Sequence, residues 1–283
     1  MTRRNSSVDN LKQPIRQATA QPWFEHLTRL GFVAKGVVYL IVGLLAAQAA
    51  IGAGGRTTNT TGALQEIIVQ PFGRLLLAIV AVGMVGYVLW RSAQTILDPE
   101  HSHQKLNAKR IVLRIGYAVS AIAYSGLALT AVKLILGAAR DNRDAAKDWT
   151  ARFLVQPFGQ WLVGLVGAIV VLVGVSYLYQ ASTAKFQRKF NLEQMSHTER
   201  VWTKQFGRVG IAARGIVFSV IGIFLIMAAL DFDPNEAVGL GGALAVLAAQ
   251  PFGPWILGLV ALGLIAYSIY SFIEARYRQI VHN

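Results

Sequence analysis

Apolar residues along this chain of 283 residues gather into six stretches, at about 30–51, 74–96, 113–137, 159–181, 209–230 and 254–273. Each is close to or above the roughly 20 helical residues that cross the hydrocarbon layer of a bilayer. The eight prolines all fall outside the interiors of these stretches, as uninterrupted helices require. No amphipathic segments remain to give six such helices a wet coat, so the pattern predicts an all-α membrane protein with six transmembrane helices, not the buried helices of a large soluble domain. Residues 1–22 are polar and include no apolar run. They read as a polar cytoplasmic tail, not a cleavable leader. The stretch that follows, from Gly31 to Ile51, is long enough to serve as a signal anchor.

The spans repeat in pairs. Gln-Pro-Phe-Gly occurs three times, as Gln70, Pro71, Phe72 and Gly73, as Gln156, Pro157, Phe158 and Gly159, and as Gln250, Pro251, Phe252 and Gly253. Each copy opens an even-numbered span. Proline is pre-organised for a first helical turn and loses no hydrogen bond there. The three phenylalanines, with Trp161 and Trp255 close behind, fall at headgroup depth, where aromatic residues anchor helices. Ahead of each motif a short apolar segment (63–69, 145–155 and 243–249) reads as an interfacial or re-entrant helix. The odd spans share an Arg-x-Gly entry at Arg29, Arg114 and Arg208. Lys35, Ser120 and Arg214 then occupy one equivalent position, and Tyr39, Tyr124 and Phe218 another. On the even spans Tyr87, Tyr177 and Tyr267 correspond if the second copy carries four extra residues, about one helical turn. The spacing thus divides the chain into hairpin repeats at 23–100, 101–186 and 187–283. Two spans per repeat give all three the same orientation. Parallel repeats are related by an axis along the membrane normal, which suggests a pseudo-threefold bundle, with a linear order of hairpins as the alternative.

The three Gln-Pro-Phe-Gly hairpins with their Arg-x-Gly entries resemble the bacterial membrane family catalogued as domain of unknown function 1206, over about residues 23–280. The resemblance implies six spans in three tandem two-helix repeats and no established activity, substrate or cofactor. The second copy departs from the pattern, with Ser120 in place of a basic residue and Ala121 in place of glycine.

Composition adds a puzzle. Hydrophobic residues make up 54% of the chain and charged residues 14%, yet the net charge is +13. Sorting by side resolves it. The side with the termini carries twenty Lys and Arg and the other side seven, while the acidic residues divide evenly. The positive-inside rule then places both termini in the cytoplasm of a bacterial inner membrane. The surplus reads as a topology signal and a contact for anionic inner-leaflet lipid, and the apolar content argues against a nucleic-acid partner. There is no cysteine, which excludes disulfides and cysteine-ligated metals.

The residues that could carry chemistry are few. Arg29, Lys35, Arg114, Arg208 and Arg214 recur near the inner ends of the odd spans and could ring the pseudo-axis as a site for a small anion or a lipid headgroup. Tyr39 and Tyr124 would line that axis. Gly36 and Gly43, repeated as Gly215 and Gly222, lie two turns apart and predict stripes for close helix packing. Lys133 lies one turn from an outer end and reads as a snorkelling residue. The five histidines all fall outside the spans, so haem ligation by histidine is not expected. Asp98–His103 clusters carboxylates and imidazoles in one loop only, and no metal site is expected there. Ser196 and Glu199 form a capping-box pattern. Glu274 is an acidic residue at an even-span end, where the other copies show Gln94 and Ala184, and a catalytic role for it is remote. No phosphate loop, zinc-protease motif or nucleophile elbow is present, and neither an enzyme nor a cofactor is expected. Two readings remain: a scaffold or lipid-interacting protein, and a transporter or channel for a small solute or anion. A wet axis lined by the recurring arginines and by Tyr39 and Tyr124 would favour transport. A closed axis with lipid-facing grooves would favour the first.

Overall fold

The computed structural model describes residues 17, 19, 21–53, 55, 57–97, 108–138 and 145–280. The Asp98–His103 cluster and His282 lie outside the described residues. Six long helices are the candidate spans: α1 (Pro22–Ala50), α3 (Gly73–Leu97), α4 (Ala108–Ile135), α6 (Gly159–Thr183), α7 (His197–Leu230) and α9 (Gly253–Tyr277). Three short helices, α2 (Thr60–Ile68), α5 (Ala145–Leu154) and α8 (Leu240–Ala248), precede the three motifs. The chain is an all-α, multi-pass membrane protein built from three tandem hairpins.

Each motif is a tight turn, not a first helical turn. The Gln70 carbonyl accepts the Gly73 amide at 2.8 Å, and the equivalent bonds at Gly159 and Gly253 are 2.8 and 2.7 Å. The third residue is left-handed in every copy, with φ of 60° at Phe72, 63° at Phe158 and 61° at Phe252. Proline cannot take positive φ, so among hydrogen-bonded turns only type II fits. Proline therefore sets the corner and the helix starts at the glycine. A Cβ on Gly73, Gly159 or Gly253 would lie 2.3, 1.8 or 1.8 Å from a carbonyl oxygen of the short helix before it, so no other residue fits. The phenylalanines occupy a backbone region that costs an L-residue roughly 1–2 kcal/mol. They are more than 80% exposed, as an aromatic anchor at the lipid interface would be.

Because each even helix starts at its motif glycine and runs 25 residues, the second copy carries no four-residue insertion. Counted from that glycine, Tyr87 and Tyr267 correspond to Val173, while Tyr177 lies one turn further on, level with Arg91 and Ser271. Gln94 and Glu274 correspond to Gln180, not to Ala184.

The spans pack in chain order around a common axis: α1 on α3, α3 on α4, α6 on α7, α7 on α9, and α9 back on α1. The glycine stripes join neighbouring repeats. Gly36 and Gly43 receive Phe272 and Ile265 of α9, and Gly215 and Gly222 receive Leu178 and Val171 of α6. Within the first and third hairpins, Gly31 meets the Tyr87 backbone and Gly210 the Tyr267 backbone. The second hairpin breaks the symmetry, for among the described residues α4 and α6 make no extended contact. They are also the least buried spans, at 28% and 17% of their apolar windows against 56% for α1 and α9. Ser196 and Glu199 form the full capping box at the start of α7, and Lys133 is exposed.

Candidate functional site

The helix period points one residue per turn of every span toward the axis. At mid-depth these are aromatic and meet as three pairs. Tyr39 packs on Tyr267 with ring centroids 4.9 Å apart, Tyr87 on Tyr124 at 4.5 Å, and Tyr177 on Phe218 at 5.6 Å. Each pair joins an even span to the odd span of the following repeat, so the layer follows the pseudo-threefold. Toward the hairpin face, Leu64 of α2 and Leu244 of α8 are fully buried in the same core. They share one buried cluster with Tyr39 and Tyr267.

Below that layer, toward the termini, lies a pocket of about 60 Å³. Lys35, Arg91, Lys189, Arg214 and Arg278 reach it, against one carboxylate, Glu274. Glu274 accepts a hydrogen bond from Lys35 Nζ at 2.7 Å and another from Arg278. Lys35 Nζ also sits over the rings of Phe32, Tyr87 and Tyr267, at 4.8, 5.3 and 5.1 Å. Arg91 is held by the Tyr87 hydroxyl and the Gln94 carbonyl oxygen. The floor is the segment after α6, where Phe186 and Phe190 pack on Tyr270. That segment is tied to the residues after α9 by the Asn191 amide to the Tyr277 carbonyl and the Gln279 amide to the Lys189 carbonyl.

Arg214 differs from the rest. Its side chain is 9% exposed. It donates to the Tyr267 hydroxyl and stacks against Tyr39, Tyr177, Phe218 and Tyr267 at 4.6 to 5.3 Å. Among the described residues no carboxylate pairs with it, and its Nε has no hydrogen-bond partner. The reason lies in the repeat. Lys35 pairs with Glu274 of the preceding even span, whereas for Arg214, in the same position of its own repeat, the corresponding residue is Gln180, which lines the same pocket. Cation–π contacts, each worth about 0.5–2 kcal/mol, offset part of the cost of burying this charge, and the Nε–H remains available to an acceptor.

The other three arginines of the expected ring do different work. Arg29 donates to the carbonyls of Ala275 and Arg276, Arg114 to those of Thr95 and Ile96, and Arg208 to those of Ala181 and Ser182. All three acceptor pairs lie 22 and 23 residues past a motif glycine, at the open C-terminal end of an even helix. A cation there satisfies orphan carbonyls and complements the helix dipole. The recurrence of this arginine thus has a capping cause, and the basic cluster is built instead from Lys35 and Arg214 with Arg91, Lys189 and Arg278. Those last three were hidden in sequence, since they share no position in the repeat. Counting from the motif glycine would have exposed Gln180 as the counterpart of Glu274.

A second cavity, of about 320 Å³, is an apolar groove between α1 and α3, lined by residues such as Leu30, Val37, Ile41 and Ile79.

Six apolar spans with interior charges held by aromatic rings define an integral membrane protein. The chain belongs to the family described as Domain of Unknown Function (DUF1206), which it matches three times, at residues 30–98, 115–184 and 209–278. It is 39% identical over 271 residues to the uncharacterized protein YxxB of Bacillus subtilis (strain 168), covering 95% of this chain and 96% of that one. No solved structure matches the chain significantly.

Proposed function

We propose that this chain is a non-enzymatic, lipid-interacting protein of a bacterial inner membrane, with both termini cytoplasmic and an anionic group held in the basic pocket. The observation that carries this reading is Arg214, a buried cation whose Nε–H has no hydrogen-bond partner and which pairs with no carboxylate among the described residues, beside Lys35 and Arg91 in a pocket whose described lining holds one acid. Charge asymmetry across the bilayer supports the orientation, and anionic lipid is the abundant partner for a basic inner-leaflet pocket.

The test is titration of the detergent-solubilised protein with short-chain phosphatidylglycerol and, separately, phosphatidylcholine. The anionic lipid is expected to bind at least tenfold more tightly, and Arg214→Gln to abolish that preference. Equal affinity for the two lipids would overturn the reading. A reporter fused at Gly54 is expected to lie outside the cytoplasm, and a cytoplasmic signal there refutes the orientation.

Transport of a small anion is the second reading. The pseudo-threefold order of the hairpins favours it. The aromatic layer and the buried leucines of α2 and α8 weigh against it, as does the capping role of Arg29, Arg114 and Arg208. Anion flux into proteoliposomes above the protein-free rate would reverse this order.

A further inference from the structure

The symmetry of the three hairpins fails at one place, and the failure leads into the pocket. The second residue after the recurring arginine is glycine in every copy: Gly31, Gly116 and Gly210. In copies one and three this glycine presses on the even helix of its own hairpin. A Cβ there would lie 2.6 Å from the Tyr87 amide nitrogen or 2.5 Å from the Tyr267 Cα. At Gly116 a Cβ would meet nothing within 4 Å. Ser120, where the other copies carry Lys35 and Arg214, adds neither bulk nor charge on the same helix. The pocket agrees with this picture. Its lining comes from α1, α3, α6, α7 and α9, and among the described residues α4 contributes none. α4 approaches the pocket through Tyr117, whose ring lies 5.2 Å from the Arg91 guanidinium, so the gap in the wall falls between that ring and the pair Tyr177 and Gln180 of α6.

We propose that the seam between α4 and α6 is a lateral opening from the bilayer into the basic pocket, and that its occupant is an anionic two-chain phospholipid. The phosphate accepts from the Nε–H of Arg214 and the amide of Gln180, and the acyl chains lie between α4 and α6. Two independent features select this ligand. Arg214, buried without a carboxylate among the described residues, calls for an anionic head, and the exposed apolar side chains of α4 and α6 beside the gap, such as Val119, Ile122, Leu172 and Val175, call for an apolar tail. A soluble phosphate would satisfy the first only. The proposal rests on the headgroup reading above and adds a location and an entry route to it.

The test uses the full chain in nanodiscs containing phosphatidylglycerol with a diazirine near the end of one acyl chain. After irradiation, labelled peptides are mapped by mass spectrometry. Labels are expected mainly in 114–135 and 159–183. Arg214→Gln is expected to reduce them at least fivefold and Arg214→Lys to retain most of them. Gly116→Phe, which enters open space and so leaves the fold intact, is expected to fill the seam and reduce labelling by a similar factor. Labels spread evenly around the bundle, or confined to the α1–α3 groove, would overturn the seam. So would undiminished labelling of Gly116→Phe. If the preference for anionic lipid still depends on Arg214 in those cases, only the route is refuted. If Arg214→Gln changes neither labelling nor preference, the headgroup site falls with it.

Discussion

Glu274→Gln tests how the pocket holds its charges. The carboxylate serves Lys35 and Arg278 together, and all three side chains are at most 5% exposed. At 2.7 Å and an effective dielectric of about 20, the Lys35 pair alone attracts by about 6 kcal/mol. Most of this offsets the cost of taking both charges out of water. Deleting the carboxylate leaves Lys35 buried without its carboxylate and takes the same anion from Arg278, and breaking a buried pair in this way costs about 3–5 kcal/mol. The three rings around Lys35 retain part of its stabilisation, so the lower end, about 3 kcal/mol, is expected. Lys35→Met is expected to cost less, about 1 kcal/mol, because Glu274 keeps Arg278 and no cation is orphaned. The double variant takes the carboxylate from Arg278 alone, not from both cations. It is expected at about 2 kcal/mol, well below the sum of the singles. Unfolding in mixed micelles with increasing sodium dodecyl sulfate, followed by tryptophan fluorescence, measures all three. A Glu274→Gln cost no greater than that of Lys35→Met, or strict additivity in the double variant, would refute the reasoning.

Three further outcomes follow from the packing and the caps. Gly43→Leu places side-chain atoms where Ile265 and the Ala261 carbonyl already lie, so its folded yield by fluorescence-detected gel filtration should fall well below that of Leu44→Ala, a half-exposed position. Arg114→Ala uncaps α3 and should lower stability by about 1 kcal/mol. It should leave phosphatidylglycerol affinity unchanged, where Arg214→Gln does not. Phe72→Gly removes the left-handed strain of the turn, worth about 1 kcal/mol, but also the interfacial ring, so thermal stability should rise in detergent by more than it does in bilayers.

Much of this architecture is legible without coordinates. Six spans follow from length and hydropathy, because in hydrocarbon every backbone polar group must be satisfied within the segment and only a helix does so locally. The three hairpins follow from Gln-Pro-Phe-Gly, whose residues each answer a local demand of one turn. The glycine stripes are legible as stripes, since small residues two turns apart share a face, but their partners are not. The stripes bind α1 and α7 to the preceding repeat.

The pocket was the least legible part, for a related reason. Recurrence drew the eye to Arg29, Arg114 and Arg208, and recurrence marks what every repeat needs, here a cap for a helix end. A binding site in a pseudo-symmetric protein instead lies where the copies differ. Gln180 in place of an acid leaves Arg214 without a counter-ion, and the departure at Ser120 and Ala121 accompanies the one hairpin that does not close. The chain by itself determined its spans, its repeats and its charge asymmetry, because these depend on transfer to lipid and on turns a few residues long. Only the tertiary structure decided that Arg214 is buried among rings with no carboxylate among the described residues, and where the second hairpin stayed open. Both depend on residues of different repeats meeting across the axis, and no local pattern encodes that meeting.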